Sequence, residues 1–330
     1  MYQTVIRGVG TGLPKKAITN KELESIVTDY DPVKAGRPLE QWVEQKYGIL
    51  TRHWATDETT ADLATEAARN ALNDAGLTPA EIDLILVSTV TNDNVVPGTS
   101  KVVQARLDCA ADTRDYHEGC PGFVKALIDA GPIMDRRGYR YGLVIGAERM
   151  SSIIHHERFK QAALFGDAAG AVVVEQSKNQ SYGIIAAVSG SDGRRGEALL
   201  VTGKGQDPSL ISNDKEVYSF AVAAFCKTVL DLCRETGSNL QNIDLIVPHQ
   251  ASVNIIKDAV QMLNIEPSKV ITYLKTVGNT SSASVPLALE YAIDEGKLND
   301  RDRVMLIGMG AGLAWAGAYL IWRDYHGNNN

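Results

Sequence analysis

The chain predicts an α/β protein made by duplication, two pseudo-symmetric halves whose mainly parallel sheets are covered by helices. Three observations predict it. Apolar strand-like runs alternate with amphipathic helix-like stretches along most of the 330 residues. A helix–strand unit recurs at a nearly constant offset. Glycine-bearing loops lead into helices at corresponding places in the two copies.

In the first half, TADLATEAARNALNDAG (60–76) has helical apolar spacing and stops at Gly76, a residue suited to the left-handed turn that closes a helix. EIDLILVSTVT follows as an apolar strand. In the second half, AVAAFCKTVLDLCRETG (221–237) gives the matching helix and NIDLIVPHQAS the matching strand. Gly76 and Gly237 are 161 residues apart, as are Ile82 and Ile243. The strand YGLVIGAE near Gly146 and the strand VMLIGMGAG near Gly308 keep the offset at 162. Such a period is far too long for a solenoid. The predicted halves are 1–178 and 179–330. AGAVVVE, after FGDAAG, and GIIAAVSG add further strands. Residues 190–216 are polar and glycine-rich and predict a long surface loop, with a second one over 28–40.

Composition narrows the function classes. The chain is 44% apolar and 22% charged with net charge -7, and no cluster of Lys and Arg suits a nucleic-acid backbone. The four cysteines (109, 120, 226, 233) have no metal-ligand spacing. The start MYQTVIRGVG predicts no secretory signal, so the expected location is cytoplasmic, where disulfides are uncommon. Residues 304–322 run 19 positions without a charge, enough to span a bilayer. Four glycines interrupt that run, which predicts two buried strands joined by a turn instead.

RDYHEGCPGFVKAL (114–127) carries the sharpest chemical signal. Cys120 follows a predicted strand (113–116) and precedes Pro121, a residue favoured in the first turn of a helix. The spare N–H groups and dipole of a helix start favour negative charge, so the thiol is expected to have a lowered pKa and to act as a nucleophile. Cys109, Cys226 and Cys233 read as packing residues. His249 closes DLIVPHQ at a strand end, where parallel sheets place their ligands, and is the counterpart of Ser88. Asn279, in VGNTSSAS, lies in the loop corresponding to the one that carries Cys120; Cys120 itself maps onto Ser281. GMGAGLAWAG supplies glycine-permitted N–H groups for an oxyanion.

Taken together, GCPGF, PHQAS, GNTSSAS, FGDAAGAV and GMGAGLAWAG resemble the ketoacyl synthase III group of the thiolase superfamily. The resemblance runs from about Val5 to Ile321 and includes WVEQKYGILTRHW (42–54) and DKEVYSFAV (214–222). It implies a five-layered αβαβα thiolase-like fold, a homodimer and a Cys120–His249–Asn279 triad. The implied reaction is a decarboxylating Claisen condensation. Cys120 takes an acyl group from a CoA or carrier-protein thioester, with the N–H groups of Cys120 and Ala311 as oxyanion hole. His249 and Asn279 then stabilise the enolate of a malonyl thioester, giving a 3-oxoacyl product. The resemblance calls for no metal, nicotinamide or other cofactor, no membrane and no nucleic acid.

The departures from the family pattern concern the substrate. Tyr116, His117, Glu118 and Gly119 replace small apolar residues before the cysteine. Asn254, Gln261 and Met262 stand where basic residues often meet a carrier protein, and Lys257 remains. Phe159 occupies the place of an arginine that, with Trp42, sandwiches the adenine of CoA; Arg158 is its neighbour. Trp42, Arg158, Phe159 and Asn254 are therefore the expected substrate contacts. Glu118 reads either as a supporting acid or ion-pair partner of His117, or as a structural ion pair. These departures favour specialised biosynthesis, polyketide or quinolone-type, over fatty-acid initiation. Other readings are acyl transfer to an oxygen, nitrogen or sulfur acceptor, the joining of two long β-ketoacyl chains, and a non-catalytic subunit of a larger synthase.

Overall fold

A computed structural model describes residues 3–202 and 209–325. Strands Gln3–Gly12, Ala168–Ser177, Tyr141–Glu148, Leu84–Ser88 and Asp112–Tyr116 lie side by side in that order in one sheet. Strands Leu245–Pro248, Arg303–Gly310, Ala314–Ile321 and Gly183–Ser191 form the other. Helix Thr60–Ala75 covers the outer face of the first sheet, and helix Asp214–Thr236, backed by Val253–Leu263, covers that of the second. Helices Gly122–Arg137 and Ser284–Asp294 lie between the sheets and touch both, completing five layers.

The layering follows from strands that are apolar on both faces. Leu84 and Leu86 point into the middle layer with Phe123 and Leu127. Ile85 and Val87, one step along the pleat, point outward onto Leu63 and Ala67. The second sheet repeats this: Val304 and Leu306 face the middle layer, and Met305 and Ile307 face Phe225 and Leu232. Each such aliphatic side chain contributes about 1.5–3 kcal/mol through burial. The helices end where expected, for Gly76 and Gly237 both close their helices at φ 64°.

Pairing in the sheets is mixed. Leu84–Ser88 runs parallel to both its neighbours, and Leu245–Pro248 runs parallel to Arg303–Gly310. The other four pairings among these nine strands are antiparallel. Parallel order, expected to predominate in mixed sheets, is thus confined to strands joined by helical crossovers, because a short link such as the turn from Gly310 to Ala314 can only return the chain antiparallel. That turn also separates 304–322 into two strands, and among the described residues no helix is long and apolar enough to cross a membrane.

The long loop predicted over 190–216 also needs correction. Leu199–Thr202 pairs antiparallel with Ser209–Ser212, short β-forming runs whose signal is diluted by the glycines around them; 203–208 lie outside the described residues. The loop over 28–40 contains one turn of helix, Pro32–Ala35, capped by Asp31.

Two glycines decide how the halves meet. A Cβ at Gly308 would lie 2.7 Å from Pro121 Cα, and a Cβ at Gly146 would lie 2.4 Å from Ser282 O. Each half thus presents a bare strand to the other half's loop. Because the obstacles are backbone atoms, Gly308→Ala is expected to cost at least about 2 kcal/mol. Urea denaturation would show this as a lower midpoint at unchanged slope; an unchanged midpoint would mean that the Pro121 loop yields freely.

Candidate active site

Cys120 lies in the link between strand Asp112–Tyr116 and helix Gly122–Arg137. Gly119 turns the chain there at φ 59°, a conformation natural to glycine. Pro121 is the N-cap rather than the first helical residue, so Cys120 stands just ahead of the helix. Ser281 Oγ approaches the sulfur to 3.6 Å, and the N–H groups of Ala311 and of Cys120 itself also favour its anionic form. Gly310 allows this crowding, since a Cβ there would lie 2.9 Å from Sγ. The residues related by the 161 offset, Cys120 and Ser281, therefore meet at the interface of the halves.

The expected lowering of the thiol pKa is overturned. Burial pushes Cys120 up to about 11, and the nearby Glu148 carboxylate adds to the rise. The Ser281 hydroxyl and the two N–H groups pull the other way but are outweighed. Removing a thiolate from water costs more here than a helix start and three donors return.

His249 follows strand Leu245–Pro248, and its N–H donates to Ile307 O at 2.7 Å. That bond fixes it beside Gly308, which rests on the Cys120 loop. Ser284 Oγ lies 2.6 Å from the ring Nδ1 and also accepts from Gln250 N–H. The Ser284 hydroxyl can donate to Nδ1, and in that tautomer Nε2 carries the ring proton. Burial drives the His249 pKa down to about 4, so the ring is neutral near pH 7. Asn279 is buried, its N–H donating to Leu164 O and its Oδ1 accepting from Ser281 N–H at 2.9 Å. With Oδ1 engaged, the donor end of the amide is Nδ2.

A cavity of about 710 Å³ opens onto Cys120, Ser281 and Ala311. Leu199, Val201 and Leu210 of the short hairpin form part of its wall. Asn279 is tied to this wall through Ser281. His249 is tied to it through the strand pairing that carries Gly308 against Pro121.

An acid that sequence reasoning passed over completes the site. Glu148, at the end of strand Tyr141–Glu148, is fully buried. Its Oε2 accepts from Thr91 Oγ1 at 2.8 Å and Val90 N–H at 3.1 Å. Its Oε1 accepts from Ser281 Oγ at 3.2 Å and Ser282 Oγ at 3.0 Å. Burial raises its pKa to about 7 against these donors. The signal was a lone carboxylate closing an apolar strand. Asp167 of FGDAAG has a framework role instead, accepting from Ser151 N–H and Oγ and from Ala55 N–H.

Residues 114–193 match the family model for 3-oxoacyl-(acyl-carrier-protein) synthase III, and residues 233–322 match the model for its C-terminal part. A beta-ketoacyl-(acyl-carrier-protein) synthase III of Staphylococcus haemolyticus is 35% identical, the alignment covering 96% of this chain and 98% of the relative. The chain belongs to the 3-oxoacyl-(acyl-carrier-protein) synthase III family. The crystal structure of a synthase III from Aquifex aeolicus superposes with a TM-score of 0.90 at 35% identity, covering 97% of this chain and all of that one. A priming beta-ketosynthase from the R1128 polyketide pathway gives 0.89 at 33% identity, covering 98% and 97%. The five layers are accordingly the thiolase-like αβαβα fold.

Against the family pattern, the residues expected at the substrate mouth divide. Phe159 packs edge-on against Trp42, ring centroids 5.1 Å apart, and Tyr30 and Tyr47 extend the cluster. Arg158, next to Phe159, is exposed. The Asn254 amide donates to Lys46 O at 2.9 Å, tying helix Val253–Leu263 to helix Leu39–Tyr47. His117 and Glu118 both line the cavity, but Glu118 is paired with Lys125, not with His117. Lys125 stands one turn into helix Gly122–Arg137, within reach of a carboxylate in the loop before it. Of the two readings of Glu118, the contact is that of a structural ion pair, made with Lys125 rather than His117.

The low pKa of His249 sets a sign for acid stability. Between pH 6.5 and about 4 the unfolded histidine binds a proton that the folded one refuses, so this group removes stability as pH falls through that window. In His249→Gln the loss of melting temperature over that window is expected to be smaller than in the parent; equal losses would show that the ring is not held neutral.

Proposed function

We propose that the protein is a condensing acyltransferase that forms an acyl-Cys120 intermediate and joins it to a malonyl thioester with loss of CO2. Support for this reading begins with the sulfur. It is flanked by the Ala311 and Cys120 N–H groups, where the oxyanion of a tetrahedral intermediate would develop, and one such donor is worth about 3–4 kcal/mol of barrier. The observation that carries the reading is the pair of oriented donors. Ser281 fixes the Asn279 amide and Ser284 fixes the His249 ring. A neutral imidazole and a carboxamide would together suit the carbonyl oxygen of a malonyl thioester as its enolate forms. The enolate carbon then attacks the acyl-Cys120 carbon, restoring the thiol and giving a 3-oxoacyl thioester. Acyl transfer to an oxygen, nitrogen or sulfur acceptor would leave this donor pair without a task.

The acyl and malonyl groups would arrive as thioesters of CoA or of an acyl carrier protein, in the cytoplasm and without a further cofactor. Phe159 and Trp42, already packed together, favour a carrier other than one held by an adenine stacked on arginine. With the departures near Cys120, this favours specialised polyketide or quinolone-type synthesis. A homodimer fits the open edge of strand Asp112–Tyr116, the last in its sheet.

Exposure to acyl-CoA and acyl-carrier substrates is expected to add one acyl mass to the protein and none to Cys120→Ser; an adduct surviving that change would remove the nucleophile. In Asn279→Ala the acyl adduct should still form while CO2 release from malonyl thioester falls at least about 10²-fold. Full condensation in that variant would favour the heteroatom acyltransferase.

A further inference from the structure

The thiol of Cys120 must lose its proton before it can attack, yet its pKa is raised, and Nδ1 of His249 is engaged by Ser284. A chain of exchangeable protons leads from the thiol to Glu148. Ser281 Oγ is 3.6 Å from Cys120 Sγ and 3.2 Å from Glu148 Oε1. Its hydroxyl has one hydrogen and two lone pairs, so it can give that hydrogen to Glu148 while receiving another from the thiol.

We propose that Glu148 is the proton acceptor for Cys120, acting through the Ser281 hydroxyl, and that it returns the proton to the departing thiol of the acyl carrier. In the forward step the Cys120 S–H bond breaks as Ser281 Oγ takes that proton. The Ser281 O–H bond breaks as Glu148 Oε1 takes the other. The products are a thiolate, an intact serine and a carboxylic acid. The thiolate then bonds to the acyl carbon, the C–S bond to the carrier breaks, and the carrier sulfur leaves as a thiol with the proton from Glu148. Ser281 and Glu148 are positioning residues, since neither bonds to the acyl group.

Three features support this route beyond the distances. Five donors converge on Glu148, from Thr89, Val90, Thr91, Ser281 and Ser282, an arrangement that holds a carboxylate ready without a cation. Its pKa of about 7 allows it both to take and to return a proton near neutrality. Ser281 is itself held at φ 51°, with its N–H on Asn279 Oδ1, so the hydroxyl is aimed by the same amide that serves the second half-reaction. Of the titratable and charged groups, Cys120 interacts electrostatically with Glu148, and Arg149 is the next residue along the chain. Asp167 is engaged by Ser151 and Ala55, and Asp93 by Thr60 and Ala61.

The test needs no acyl donor, so it stands or falls separately from the condensation it serves. The rate of Cys120 alkylation by iodoacetamide, followed by intact-protein mass, is measured from pH 5.5 to 10. In the parent protein the rate is expected to rise through an inflection near pH 7, as Glu148 becomes able to accept a proton. In Glu148→Gln and in Ser281→Ala that inflection should vanish and the rate at pH 7.5 should fall roughly 10²-fold, leaving only the rise due to the thiol itself. A folded Glu148→Gln protein with the parent's pH profile would overturn the proposal. Should that variant fail to fold, Ser281→Ala carries the test alone, because it breaks the chain and leaves the carboxylate in place; a parent-like profile there overturns the proposal equally. Failure of both acyl-CoA and acyl-carrier substrates to label the parent would instead sink the condensing-enzyme reading.

Discussion

Everything at this site depends on how closely two backbones can approach. The loop carrying Cys120 and the loop carrying Asn279 belong to different halves, more than 150 residues apart in the chain. They meet because each lies on a strand of the opposite half that is glycine where they touch, Gly308 under Pro121 and Gly146 under Ser282. The exchange is reciprocal, as a pseudo-two-fold relation requires. A side chain at either glycine would part the loops by more than a hydrogen bond can stretch, and Ser281 could no longer reach both Cys120 and Glu148.

The same packing explains the electrostatics. Residues that meet between two sheets are largely shielded from water, and shielding disfavours whichever form of a group is charged. That one cause raises Cys120, raises Glu148 and lowers His249. The result is a site that rests with little charge and relies on directed hydrogen bonds. Its hydroxyls do most of the directing: Ser284 for the imidazole, Ser281 for the thiol, and Ser282 with Thr91 for the carboxylate.

Much of this was legible beforehand. The 161-residue offset exposed the duplication, because a repeated helix and strand keep their length even where side chains diverge. Gly119, Cys120 and Pro121 revealed a sharp turn ahead of a helix, since few other residue orders permit one. The sign of the thiol's shift was not legible, because a helix start is a local property whereas burial depends on Gly310 and Ser281 arriving from the other half. Glu148 was hidden for a similar reason. In the chain it merely closes a strand, and the serines that make it part of the site lie over 130 positions away. The hairpin formed by Leu199–Thr202 and Ser209–Ser212 was lost among glycines whose composition reads as loop.

A sulfur kept in its protonated form is a poor target for peroxide, because oxidation to sulfenic acid proceeds through the thiolate. The depth of Cys120 therefore acts as chemical insulation. Peroxide that would consume an ionised cysteine meets here a thiol whose proton must first be drawn away. Selectivity among electrophiles is in this sense set by the walls of the site rather than by the reactivity of the atom within them.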